Sequence, residues 1–384
     1  MRNHSCIGCD RVIKALLQVN ILTRRETRAM RSSAWLGMMV VVGLLVTVTP
    51  LTAENGSPPS LRSEPAAGAS PGSMSADVVV AADGSGRFKT VQAAIDAAPT
   101  NRTESFVIFV KPGTYNEHLF VPADKPHLTF RGEDAATTIL TDDHNFNTVD
   151  ATGQKLVATN SCTVLIRAAN FAAENITFEN TTPLASHVQA LALYITGDRA
   201  VFRHCRFLGW QDTLRADAPH GEIARQYFAD CEIVGHVDFI YAAGTAVFDR
   251  CHIHCLANGY ITAASTLEHT PFGYVFLDCR ITVAPEVEHT YLGRPWRPFA
   301  SVAYLRTEMP AQIWPQGWNN WRNPTNETTA RFAEYQSKGP GARPESRVKW
   351  ARQLSDDDAK SYTVENILRG ADGWDPNRNT NGAH

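Results

Sequence analysis

From Asp77 onward the chain is built of short apolar, β-branched and aromatic runs separated by Gly, Pro, Asn and Asp. Val78 to Ala81, Phe106 to Val110, Leu128 to Phe130 and Val164 to Ile166 are each closed by turn residues, a pattern that predicts short strands. One segment has a helical period instead. Between Thr90 and Ala98, the residues Val91, Ala94, Ile95 and Ala98 fall on one face of a helix, and Pro99 ends it. This helix is expected to cap one end of the domain. No helices alternate with the strands that follow, so the class is all-β rather than α/β.

Self-comparison sharpens the class. Four segments repeat one phrase: Val201-Phe-Arg-His-Cys205-Arg-Phe207, Tyr227-Phe-Ala-Asp-Cys231-Glu-Ile233, Val247-Phe-Asp-Arg-Cys251-His-Ile253 and Val275-Phe-Leu-Asp-Cys279-Arg-Ile281. A weaker copy is Asn175-Ile-Thr-Phe178. The cysteines are 26, 20 and 28 residues apart, which fits one turn of a solenoid whose coils lie about 4.8 Å apart. A sandwich would place its hairpins closer together and would not repeat a side-chain phrase in phase. The expected fold is a right-handed, single-stranded parallel β-helix, with each Cys and the Phe or Ile two positions on stacked inward as ladders.

The N-terminus belongs to a different regime. Arg31 precedes an apolar run from Ala34 to Val48, shorter than the roughly 20 residues a membrane span needs. It reads as an export signal, with residues 1–53 removed and Met30 a candidate true start. The pair Cys6-x-x-Cys9 lacks the second pair of ligands that a zinc site requires. Residues 54–75 hold four Pro, six Ser and three Gly, so a linker is expected up to residue 76. The folded domain then spans 77–384. The whole chain carries 36 basic and 39 acidic residues; without residues 1–53 the balance becomes 29 against 37, a net charge of -8. An acidic mature protein does not suit nucleic acid as a partner.

Six cysteines remain in the domain, counting Cys162 and Cys255. Export permits disulfides, but pairing is not legible from spacing, and buried thiols ordinarily pack as small hydrophobes. No histidine recurs with the ladder cysteines, so no metal is expected.

The repeat register also selects chemistry. Five residues beyond Phe207 is Asp212, and five beyond Ile233 is Asp238. Two carboxylates at equivalent positions of successive coils lie about 5 Å apart, and their repulsion pushes their pKa values apart. One is then fit to be a base or nucleophile, the other an acid. Aspartate in a loop is more commonly a solvated turn residue, yet neither acid sits in a polar run.

Three blocks around these residues, Gly209-Trp-Gln211-Asp212-Thr-Leu, Gly235-His-Val237-Asp238-Phe-Ile-Tyr241 and Tyr291-Leu-Gly-Arg294-Pro-Trp296, resemble the signature blocks of the pectin methylesterases. Asp83-Gly-Ser-Gly86, Val110-Lys-Pro-Gly-Thr-Tyr115, Gly197-Asp-Arg199 and Phe332-Ala-Glu-Tyr335 resemble the same family in the same order. The resemblance implies hydrolysis of the methyl esters of pectin to pectate and methanol. It gives Asp238 the nucleophile's place, Asp212 that of the acid and base, and Gln189 and Gln211 that of oxyanion donors. Gln189 precedes Gln211 by 22 residues, about one coil. Arg294 would hold the Asp238 carboxylate ionised while Asp212 stays protonated. Trp296 would line the sugar cleft, with Trp210, Phe239 and Tyr241 as neighbours.

Some positions depart from the family pattern: His236 for a small polar residue, Tyr241 for Phe, Ala242 for Gly, and an extra loop from Arg215 to Ala224 as one cleft wall. Calcium-dependent lyases and galacturonan hydrolases share the scaffold, but their signature blocks are missing. There is likewise no G-x-S-x-G elbow, H-E-x-x-H or P-loop. A different ester as substrate and a non-catalytic carbohydrate-binding solenoid are the remaining rivals. The expected protein is an exported, secreted or periplasmic monomer without cofactor. Its bacterial source would leave the Asn-x-Thr sequons at Asn101, Asn175, Asn180 and Asn326 unglycosylated.

Overall fold

The computed structural model describes residues 76–377, all within one compact unit. The export signal, the alternative start, the Cys6/Cys9 pair and the linker to residue 75 lie outside the described residues. Among those described, no helix is long and apolar enough to cross a membrane.

The strands are parallel and stack coil upon coil. One 11-stranded sheet runs from Val78–Val80 through Phe106–Val110, Leu128–Gly132, Ala172–Glu174, Ala200–Arg203, Arg225–Ala229, Thr245–Asp249, Tyr274–Leu277, Ser301–Leu305 and Arg331–Tyr335 to Arg352–Gln353. A 12-stranded sheet covers the rest of the wall, and its long strands Glu232–Ala242 and His252–Ala264 run across a corner that shorter coils break with a turn. The predicted solenoid is therefore the observed fold. The predicted helix is Val91–Ala97, with the Thr90 hydroxyl accepting the Ala93 N–H at 3.3 Å and Val91, Ala94 and Ile95 buried against the first strands.

The repeated phrase supplies the core. Phe202, Phe228, Phe248, Phe276 and Tyr304 form one stack, with centroids 4.8, 4.8, 4.5 and 4.3 Å apart. Phe207, Ile233, Ile253 and Ile281 occupy the facing wall, at most 2% exposed. Between them run Cys205, Cys231, Cys251 and Cys279, unpaired thiols whose Sγ–H groups donate to main-chain carbonyls such as Phe228 O at 3.4 Å and Phe248 O at 3.2 Å. Burial pushes the thiols of Cys162 and Cys255 up to about 12, so they pack as hydrophobes. The residue before each ladder Cys turns the corner in the left-handed region: His204 at φ 50°, Asp230 at 52°, Arg250 at 52° and Asp278 at 51°.

The C-terminal segment seals the flank. Arg225 donates to both Asp198 and Asp372 at 2.6 to 2.9 Å, and Arg347 pairs with Glu334 at 2.6 Å where both side chains are 2% exposed. Of the sequons, Asn101 is exposed, while Asn180 and Asn326 are 3% and 5% exposed and closed to a glycan.

Candidate active site

The coil register brings the acid pair together. Phe207 pairs with Ile233 and Leu214 with Ile240, so Asp212 and Asp238 lie on adjacent coils, and the Asp212 N–H donates to Val237 O at 3.1 Å. Both acids have left-handed backbone, φ 65° and 52°. Asp238 lies within the second of two register shifts, between Val237 and Ile240, that interrupt the pairing of Glu232–Ala242 with His252–Ala264. A bulge re-aims a side chain outward. Each acid follows a glycine by three residues, and at Gly235 a Cβ would collide with the Phe239 ring. This shared G-x-x-D spacing is the sequence feature that could have pointed to the turn.

The two carboxyls differ in partners. Asp238, 6% exposed, accepts from Arg294 Nε at 2.8 Å and Nη2 at 2.6 Å, a bidentate fork. Asp212 has no such counter-ion. Burial first, and then the neighbouring Asp238 charge, raise its pKa well above the usual carboxylate range. Burial also raises that of Asp238, and the Arg294 guanidinium opposes the rise. The sequence led us to expect an arginine that simply keeps Asp238 ionised; in the structure Arg294 offsets part of the burial penalty, and the pKa still ends above the ordinary value. The guanidinium is itself sandwiched 3.9 Å from the Tyr260 ring and 3.7 Å from that of Trp321. Sequence reasoning missed these two supports, since nothing in their spacing ties them to Arg294.

Gln189 and Gln211 are both half-buried and on neighbouring coils: the Ala190 N–H donates to Gln211 O at 3.2 Å, and the Phe146 N–H donates to Gln189 O at 3.1 Å. Among the described residues neither side-chain amide is taken up by a protein partner, which leaves both as donors. Trp296 is half-buried, edge-on to Tyr241 at 5.8 Å with Arg297 4.9 Å from its ring. Trp210 meets His236 edge-on at 5.9 Å. Burial lowers the His236 pKa, so this ring is neutral near pH 7.

Two expected cleft residues are corrected. Phe239 is 0% exposed and part of the interior core together with its neighbour Ile240, because the register shift between Val237 and Ile240 interrupts the alternation of the strand and turns it inward. Tyr241 is 5% exposed, covered by neighbours that include Trp296, and presents no open face to a sugar. The extra loop also starts later than expected. Arg215 belongs to strand Leu214–Ala216, where it lies 4.3 Å from the Tyr194 ring and pairs with Asp217 at 2.8 Å. As for metals, Asp142, Asp143 and His144 are the one grouping among the described residues that offers three ligand atoms within 4.8 Å of one another. There the Asp142 carboxylate is already taken up by His144 Nδ1 at 2.6 Å and the Asp143 N–H at 2.8 Å.

The family profile described as Pectinesterase matches residues 77–371. Pectinesterase 31 of Arabidopsis thaliana is 45% identical over 303 residues, 76% of this chain and 92% of the relative. The structure of pectin methylesterase from carrot superposes with a TM-score of 0.72 at 33% identity, covering 79% of this chain and 96% of that one. A pectin methylesterase in complex with a hexasaccharide gives 0.68 at 30% identity, covering 79% and 99%. The relative and the carrot structure are plant proteins, and the bacterial source expected from the sequence finds no support in them.

Proposed function

The chain belongs to the pectinesterase family and is a pectin methylesterase, and we propose that it works through Asp238 as nucleophile, Asp212 as acid and base, and Gln189 and Gln211 as oxyanion donors. The observation that carries this reading is the asymmetry of an acid pair in register: only Asp238 is clamped by Arg294.

The chemistry follows from that asymmetry. An Asp238 carboxylate oxygen attacks the carbonyl carbon of the methyl ester, and the π electrons move onto the carbonyl oxygen. The two amide N–H donors stabilise that oxyanion. When the tetrahedral intermediate collapses, the C–OCH3 bond breaks and Asp212 gives its proton to the leaving oxygen, releasing methanol. Asp212, now a carboxylate, takes a proton from water as the water attacks the acyl-enzyme. The second collapse returns Asp238 as carboxylate and leaves a free galacturonate carboxyl. Atoms and charges balance without a cofactor. Because Arg294 lowers the Asp238 pKa and the Asp238 charge raises that of Asp212, one proton is placed where each step needs it.

Trp296 is proposed to cover the apolar face of a sugar ring beside the acids. The substrate is the methyl-esterified galacturonan chain, and the structural neighbour solved in complex with a hexasaccharide supports an extended polysaccharide ligand. The protein is proposed to be exported through the signal in residues 1–53, with residues 77–384 as the catalytic domain and 54–76 as linker. The test is methanol release from highly methylated pectin by the parent and by folded Asp238→Asn and Asp212→Asn variants. Release by the parent and loss in both variants is the expected result. Full activity in either variant overturns that residue's role, and cleavage of small esters but not pectin overturns the substrate.

A further inference from the structure

The Tyr241 hydroxyl is the one polar atom by which this side chain differs from the phenylalanine expected at its position. The ring is held firmly: the residue is 5% exposed, its edge meets Trp296 at 5.8 Å, and the Arg215 guanidinium lies 5.5 Å from its centroid. The hydroxyl oxygen is sealed from water and forms no well-aligned hydrogen bond. A buried polar atom in that condition is unfavourable, and a phenylalanine would avoid it. Its surroundings are not apolar, however. Tyr241 is the cross-strand partner of Arg215, whose guanidinium lies over its ring, and the Asp212 carboxyl is near enough for the phenol and the carboxyl to influence each other's ionisation. Burial and the Asp212 charge together push the phenol pKa far up, so the O–H remains a donor at any working pH.

We propose that Tyr241 is a positioning residue for the acid–base carboxyl: its O–H is idle while Asp212 is protonated and donates to the Asp212 carboxylate that forms as methanol leaves. The proposal rests on Asp212 playing the part assigned above. An interaction absent in the resting state and present once charge has moved accelerates the step that moves it. The hydroxyl also holds the carboxylate oriented toward the incoming water.

All groups facing Asp212 enter its titration. Asp238 raises its pKa; Arg215 on its own coil, Tyr241 on the next and Arg294 beyond lower it; burial raises it most. Tyr194 and Cys162, on the preceding coils, face Arg215 rather than Asp212. A hydrogen bond to the charged form lowers a carboxyl pKa, so deleting the hydroxyl raises that of Asp212. The alkaline limb of kcat, which reports loss of the Asp212 proton, then moves to higher pH.

The experiment is a pH–rate profile of methanol release from methylated pectin by the full chain and its Tyr241→Phe variant, with thermal melts of both and Asp212→Asn alongside. The variant is expected to shift the alkaline limb of kcat upward by about 0.5 to 1 pH unit, to lose about 3- to 10-fold in kcat, and to keep its KM and melting temperature. An alkaline limb that stays in place or moves down overturns the role of Tyr241, whatever happens to stability, because a hydroxyl that merely packs cannot fix the titration of Asp212. If folded Asp212→Asn keeps its activity and the same limb, the acid–base assignment fails and the Tyr241 proposal fails with it. An inactive Asp212→Asn beside an unmoved Tyr241→Phe limb removes Tyr241 alone.

Discussion

Replacing Arg294 by Gln removes one half of the ion pair and leaves the other half buried. In the wild type the Asp238 carboxylate is 6% exposed and accepts two charge-assisted bonds of 2.8 and 2.6 Å. Breaking a buried pair from one side costs about 3–5 kcal/mol, because the remaining charge is uncompensated. The arginine side chain is 19% exposed, so water enters the gap and the lower end, about 3 kcal/mol, applies. That is a fall of roughly 6 °C in melting temperature for a domain of this size. The pH dependence follows from the direction of the shifts. Burial raises the Asp238 pKa and Arg294 restrains the rise, so the variant holds the proton to higher pH, and the acidic limb of kcat/KM, which requires the carboxylate, moves up. The stability penalty is largest where Asp238 is ionised and shrinks as pH falls through its raised pKa, since a neutral carboxyl needs no counter-charge. The assay is methanol release across pH together with urea unfolding at several pH values. An unmoved acidic limb, with a penalty constant from about pH 4 to about pH 8, would refute the reasoning and leave Arg294 as a filler between Tyr260 and Trp321.

Other changes test the scaffold and the cleft. Glu334→Gln strands Arg347 in the interior and is expected to cost about 3–5 kcal/mol in urea unfolding, whereas Glu334→Leu combined with Arg347→Met is expected to come close to neutral. Ala242 has φ 98° with its methyl 1% exposed; Ala242→Gly relieves about 1–3 kcal/mol of backbone strain against about 0.8 kcal/mol for the lost methyl, so the unfolding midpoint is expected to rise. Trp296→Ala, read in steady-state kinetics on methylated pectin, is expected to raise KM about tenfold while changing kcat little.

The fold was legible in the sequence because a solenoid repeats its inward positions in every coil. The ladder of Cys with Phe or Ile identifies the interior from the sequence, and the equal offset of Asp212 from Phe207 and of Asp238 from Ile233 places the two acids on neighbouring levels. The left-handed corner at His204, Asp230, Arg250 and Asp278 was not legible, since Arg and His do not announce a positive φ. Phe239 was misplaced for a related reason: the bulge at Asp238 decides which neighbour faces out, and a bulge is a property of two paired strands rather than one.

What the sequence determined by itself is therefore the local and the periodic: strand class, coil length, the capping helix and the candidate acids. The tertiary structure alone decided what depends on residues far apart in the chain. It brought Arg294 onto Asp238 from 56 positions away and seated that guanidinium between Tyr260 and Trp321. It also closed the Tyr241 ring against Arg215 and buried both carboxyls enough to raise their pKa values. Burial and charge proximity are sums over everything that surrounds a group, and a linear sequence specifies that sum only once the coils are stacked.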